Sequence, residues 1–322
     1  MEQIMNNQPM GQSAEPKLKT YIDNFFLMGF ADQNGKIVIP AQWHVQPVEF
    51  SEGLVPVRNV CNNKYGFIDT TGKVIVPYEW KYALPFSKGL ATVQDSNGKW
   101  GCIDKSGKVV IPCKWYVRII FGSGGLANIL NGRQRWGLID RNGNIVAPCQ
   151  YKYISNFRDG LAIVKDSDDK YGFIDTTGEA IIPCQWMAIV NHFQEGRTVA
   201  RDADGKDYVI NKDGKKIFAS RWKVIRPFSE GRAQVCDFNG KCGYIDKSGN
   251  EVIPCQWDMT EDFSEGLAQV TDNNGLCGFI NKKGDVVIPC QWQYATWFIN
   301  GKAVVFDNDG RHTINRKGKI IE

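Results

Sequence analysis

The residues able to do chemistry in this chain are few and scattered. Three histidines, His44, His192 and His312, stand in unrelated surroundings without a recurring acidic or nucleophilic partner. Ten cysteines are present but no Cys-x-x-Cys pair, so spacing supplies no zinc site. Phe121-Gly122-Ser123-Gly124-Gly125 has the look of a phosphate-cradling loop. Asp166 to Asp169 and Asp202-Ala203-Asp204-Gly205 set carboxylates as a hard cation would need them, yet without the full loop spacing. Each of these stretches coincides with a turn of a longer pattern, where Gly and Asp have a local conformational role. The chain is therefore expected to be non-enzymatic and to hold no cofactor or metal.

The longer pattern is a repeat of 34–37 residues that runs from near Met28 to the C-terminus. Lys-Trp-Gly-Cys-Ile-Asp-Lys-Ser-Gly-Lys-Val-Val-Ile-Pro at 99–112 returns as Lys-Tyr-Gly-Phe-Ile-Asp-Thr-Thr-Gly at 64–72 and at 170–178. A fixed period of this size denotes stacked supersecondary units. One glycine column comprises Gly29, Gly66, Gly101, Gly137, Gly172, Gly243 and Gly278, and a second follows six residues later in nine copies, from Gly35 to Gly318. Asp or Asn, two residues, then Gly reads as a hairpin turn closed by a left-handed residue. Pro77 and its equivalents are expected to end the second strand, since proline cannot donate to a ladder. A third strand follows a Phe-Ser-x-Gly turn, as in Leu90-Ala91-Thr92-Val93. Runs such as Val109-Val110-Ile111 are apolar on consecutive residues, which implies sheets covered on both faces.

The predicted fold class is all-β: about eight three-stranded repeats of ~35 residues with sheets stacked face to face. Front halves of the unit stand at both ends of the array, with eight back halves between, which favours an open superhelical array over a closed propeller. The polar stretch 1–24 reads as a disordered arm and 25–322 as the array. No run of 18 apolar residues or signal-peptide core occurs, and the cysteines directly after Pro (Cys113, Cys149, Cys184, Cys255, Cys290) read as small buried thiols. A cytoplasmic protein with no membrane contact is the expectation.

The step Trp100-Gly101, with Gly-x-x-Val-x-Pro after it and Phe-Ser-Glu-Gly-Leu-Ala-x-Val at 263–270, resembles the WG-repeat family of bacterial proteins. The resemblance covers roughly residues 25–322 and implies an all-β repeat scaffold without a general enzymatic activity. Lys206-Asp207-Tyr208-Val209, which lacks the glycine, and Phe218-Ala219 in place of Ile-Pro depart from the pattern.

Two aromatic columns invite a binding role. The residues Trp43, Trp80, Trp115, Tyr151, Trp186, Trp222, Trp257 and Trp292 recur in every unit and read as core, as does the phenylalanine column from Phe50 to Phe298. The residue before the first glycine behaves differently: Tyr65, Trp100, Trp136 and Tyr171 give way to Asp207, Cys242, Cys277 and Arg311. A column that accepts Asp and Arg is at least partly exposed. Tyr65, Trp100, Trp136 and Tyr171, with Arg133 and Arg135, form the candidate ligand-binding stripe. Segment 114–158 carries a net +6 and segment 258–285 a net −4. The overall net charge of +4 is small, so nucleic acid is not the expected partner. The expected function is a binding scaffold for another protein, through a surface spanning several repeats. A carbohydrate-binding module for cell-wall or surface polysaccharide is the alternative.

Overall fold

Glycine, proline and cysteine together shape each sheet. In a computed structural model that describes residues 17–46 and 48–321, the strand Trp100–Asp104 is crossed at Gly101 by its partner Val109–Trp115. A Cβ on Gly101 would lie 2.4 Å from the Ile111 carbonyl oxygen and 2.7 Å from Cys113 Sγ, so only glycine fits. The partner strand bulges there: Ile111 faces Cys102, and the next pairing is Trp115 with Trp100. Pro112 sits in that bulge, exposed, where no ladder donor is needed. The strand therefore runs on through proline to tryptophan, correcting the expectation that proline ends it. Where Tyr208 replaces the glycine, its partner strand Lys216–Ala219 stops short and lacks the Pro-Cys bulge.

The result is nine small antiparallel sheets among the described residues, each a simple meander, and no helix. They cover 19–44, 54–80, 82–115, 127–151, 153–186, 188–219, 224–257, 259–292 and 294–315, and the chain divides into two compact units, 1–150 and 151–322. A sheet takes the back half of one sequence repeat and the front half of the next. Five sheets have a fourth strand, typically a pair such as Tyr82–Ala83, too short to carry an alternating pattern. Of the arm expected over 1–24, residues 1–16 lie outside the described residues, but Lys19–Ile22 is a strand paired with Leu27–Ala31. Asp23 Oδ1 accepts the Phe25 and Leu27 N–H groups, the same turn that Asp95 makes later. This polar strand supplies the back half that the first sheet lacked on sequence grounds.

Adjacent residues on one strand enter different cores. Phe67 packs with Ala83, Phe86 and Val93 of the following sheet, and Ile68 packs with Met28, Phe30 and Trp43 of the preceding one. Phe279 and Ile280 repeat the arrangement in the second unit. Trp43, Trp115, Tyr151, Trp186, Trp222 and Trp292 are buried, which settles that column as core. The Trp43 indole donates to Tyr78 Oη at 3.0 Å. In later sheets cysteine takes the place of Tyr78, and the indoles of Trp80, Trp115 and Trp257 have no acceptor. The five cysteines after proline are free thiols. A disulfide does join Cys236 to Cys242, outside that column, because the hairpin sets these two directly opposite each other.

Neighbouring sheets are also joined through the Phe-Ser-Glu-Gly turns. Ser229 Oγ donates to the Phe263 carbonyl at 2.9 Å, and Glu230 accepts the Gly266 N–H at 2.9 Å and Lys282 Nζ at 3.1 Å. Glu52 and Glu195 make the same link to Gly89 and Gly231, with Lys105 and Lys247 as their cations. Burial opposes the charge on Glu230, but Lys282 and the Gly266 N–H outweigh it and hold the carboxyl below its ordinary value. Glu52 and Glu195 are lowered in the same way.

Two predictions follow from this packing. Tyr78→Phe leaves the buried Trp43 indole without an acceptor and costs about 1–2 kcal/mol in urea denaturation, with Trp43→Phe in a double-mutant cycle isolating the bond. Carboxyls with lowered pKa stabilise the fold above the ordinary value of 4.5 and lose that contribution as pH falls through their folded values. The triple variant Glu52→Gln, Glu195→Gln, Glu230→Gln is therefore less stable at pH 7 by about 0.5–1 kcal/mol per site, and loses less than the native chain on acidification.

Candidate functional site

Three of the half-buried aromatic side chains in the first unit form a run of tilted and edge-to-face contacts. Tyr65 lies on the strand Tyr65–Asp69 between Arg58 and Trp80, its cross-strand neighbours. Its ring centroid is 5.3 Å from that of Tyr82, and Tyr82 is 5.8 Å from Trp100. The Arg118 guanidinium sits at the end of this run, 5.2 Å from the Tyr82 ring and 5.1 Å from the Trp100 ring. Nearby in sequence, Lys99 Nζ lies 3.0 Å from the centroid of the exposed Tyr116 ring. Such cation–aromatic pairs are worth about 0.5–1 kcal/mol at exposed sites.

The structure thus brings Tyr65 and Trp100 together through Tyr82. Trp136 is half-buried on the strand Trp136–Ile139, opposite Leu130, and has no aromatic partner among the described residues. Arg133 and Arg135 belong to the turn before it, where Asn131 Oδ1 accepts both their backbone N–H groups. Tyr171 lies in the second unit, opposite Lys165 and Trp186, with Lys165 Nζ 5.2 Å from its ring. Neither Tyr82 nor Arg118 stands among the residues that the sequence singles out for binding. A signal for Tyr82 was present, since Tyr153 and Tyr294 hold the same place two residues after the core aromatic.

The first unit is also the electropositive part of the molecule. Residues 1–150 hold sixteen Lys and Arg against eleven Asp and Glu, a net +5, and residues 151–322 hold twenty-three against twenty-four. Six of the eleven acidic groups are turn aspartates; Asp69 Oδ1, for example, accepts the Thr71 hydroxyl and N–H and the Lys73 N–H, which lowers its pKa. Lys105 with Glu52 is the one ion pair of that unit among the described residues. Arg58, Lys99, Arg118, Arg133 and Arg135 consequently stand without a carboxylate partner.

Several titratable side chains are engaged with neighbours or shifted by burial. Asp169 lies between Lys152 and Lys165, which hold its carboxyl down at about 2. His312 contacts Asp307 at 3.0 Å, and burial lowers the pKa of His192. Burial pushes the thiols of Cys102, Cys113, Cys184 and Cys255 up to about 11. Among the described residues no group of three or more His, Cys, Asp or Glu side chains is placed to hold a metal ion.

Comparison with known proteins agrees with the repeat. The WG containing repeat matches eight times, at 28–65, 65–100, 100–127, 136–171, 171–206, 209–242, 243–276 and 278–310. The chain belongs to this family. No curated protein matches it in sequence. Among solved structures it is similar to BamB from Moraxella catarrhalis, at 13% identity and a TM-score of 0.33 over 94% of this chain and 97% of that one. A eukaryotic initiation factor matches at 10% identity and a TM-score of 0.43, over 97% of this chain and 96% of the other. The WD40 β-propeller domain of Doa1 matches at 13% identity and a TM-score of 0.27, over 71% and 90%.

The aromatic run has a core side as well as a surface side: Tyr65 packs on the cluster of Phe67 and Phe86, and Trp100 on that of Ile111 and Trp115. Tyr65→Ser and Trp100→Ser are each expected to lower stability by about 1–3 kcal/mol. Guanidinium denaturation of each variant, run before any binding assay, measures this.

Proposed function

We propose that this member of the WG-containing-repeat family is a non-catalytic scaffold that binds an acidic segment of another protein. The observation that carries the reading is Arg118, lying over both the Tyr82 and Trp100 rings with no carboxylate partner among the described residues, in a unit (residues 1–150) of net charge +5. Aromatic and arginine side chains are the residue types that dominate binding energy at protein interfaces. A surface already supplied with cations gains most from a partner that brings the missing carboxylates, and such complementarity sets association rate and partner choice. The sheets from 54–80 to 127–151 would present it as one rigid surface, the usual advantage of a repeat array. Its turn aspartates, linking glutamates and raised thiols are committed to structure, which supports a role without catalysis.

The test is affinity capture from lysate of the source cell, followed by titration of the captured protein. The variant Lys99→Glu, Arg118→Glu, Arg135→Glu should bind at least about tenfold more weakly, while Lys212→Glu, Lys215→Glu in the second unit binds as the native chain does. Raising salt from about 50 to 300 mM should weaken the complex. Binding that ignores both salt and charge reversal overturns the proposal. Capture of a nuclease-sensitive ligand replaces the protein partner with single-stranded nucleic acid.

A further inference from the structure

The second unit holds a cavity of about 290 Å³ between the sheets 259–292 and 294–315. Met259, Tyr294 and Trp297 line it, and these side chains are 60%, 57% and 59% exposed. Trp297 immediately precedes the buried Phe298. In the earlier units the residue before that phenylalanine is Glu49, Pro85, Ile120, Asn156, His192, Pro227 and Asp262. The fold therefore places no demand for an aromatic there. An indole left more than half in water at a position that accepts Glu, Asn and Asp adds nothing to the core.

The polar groups around the cavity suit a hydroxylated ligand. Gln269 lines it and donates through Nε2 to Cys277 Sγ at 3.2 Å, leaving Oε1 without a hydrogen bond among the described residues. Glu261 adds a carboxylate with no ion pair among the described residues, and Thr271 a hydroxyl. Among the described residues no Lys or Arg lines the cavity, which disfavours phosphorylated or acidic ligands. Exposed aromatic rings beside planar amide and carboxylate side chains match a pyranose ring, which has an apolar C–H face and a rim of hydroxyls. The volume stands near the lower end of the roughly 300–1,000 Å³ of small-molecule sites, too small for a folded partner.

We propose that the cavity beside Tyr294 and Trp297 binds a pyranose residue of a neutral carbohydrate. Trp297 and Tyr294 provide the stacking surface, and Gln269 and Glu261 take the hydroxyls. The site uses none of the residues of the cationic face, so it stands or falls apart from the protein-binding role.

The experiment titrates the full chain with maltose, cellobiose, mannobiose and N,N′-diacetylchitobiose, read by tryptophan fluorescence and calorimetry. At least one disaccharide should saturate, with Trp297→Ala weakening it about tenfold and Trp297→Phe less. Glu261→Gln and Gln269→Ala should weaken it about three- to tenfold, and Arg118→Glu should leave it unchanged. Because Trp297 is exposed, Trp297→Ala should keep the native Tm, which confirms that lost binding is local. The absence of saturable binding by all four sugars up to about 20 mM overturns the proposal. So does binding that survives Trp297→Ala.

Discussion

Successive residues of a single strand are buried in different cores, and the rest of the structure depends on this. Phe67 belongs to the core shared with the following sheet and Ile68 to the core shared with the preceding one, and Tyr244 and Ile245 divide in the same way. Burying such a side chain is worth about 1.5–3 kcal/mol, and a sheet standing alone would forfeit this on both faces. Within each unit, stability is then a sum over adjacent sheets. The chain reinforces the dependence covalently, because each sequence repeat starts in one sheet and finishes in the next. The serine and glutamate of the Phe-Ser-Glu-Gly turns add hydrogen bonds to residues 34–37 positions further on.

Glu230 shows how tightly these links are specified. Its φ is +51°, a left-handed conformation that costs a non-glycine residue about 1–2 kcal/mol, and Glu52, Glu195 and Glu265 share it. A glycine would take that backbone more easily but could not reach the next turn. The glutamate side chain recovers the cost through the Gly266 N–H and Lys282. Lys88 stands at the equivalent position of the 86–89 turn, where Arg141 instead donates to the Ser87 carbonyl. At this turn the cation of the later sheet is kept, as Lys105 is at Glu52, and the carboxylate is lost.

Most of the fold was legible because its rules recur. The left-handed glycines, the aspartate-capped turns and the buried tryptophans each appear in many copies, and repetition itself identifies them as scaffold. What escaped the sequence were features with no period or with too few residues. The pair Tyr82–Ala83 is too short to alternate, and Lys19–Ile22 lacks the apolar signature of the strands it imitates. Cys236 and Cys242 are six apart in sequence, a spacing that acquires meaning only when a hairpin sets them opposite each other. The continuation of strands through proline depends on a bulge over a glycine in the neighbouring strand, a two-body feature that neither residue announces. Of the candidate stripe, Tyr65 and Trp100 share one aromatic run, but its central member, Tyr82, lies in another column.

The same logic separates residues that build from residues that bind. A ligand platform must keep its polar edge available, yet the indole N–H groups of Trp80, Trp115, Trp186, Trp257 and Trp292 are buried without an acceptor. Each is a desolvation cost of about 1–3 kcal/mol, accepted because the ring fills the space between two sheets. Trp43 alone finds a hydroxyl, from Tyr78. An aromatic that recurs in every unit therefore reports on packing. An aromatic that occurs once in a column of Glu, Pro, Ile, Asn, His and Asp, as Trp297 does, cannot be explained by packing, because seven other units fold without it. In a protein built from copies, function is written in the departures, and the departures lie at positions that the two-faced cores leave free.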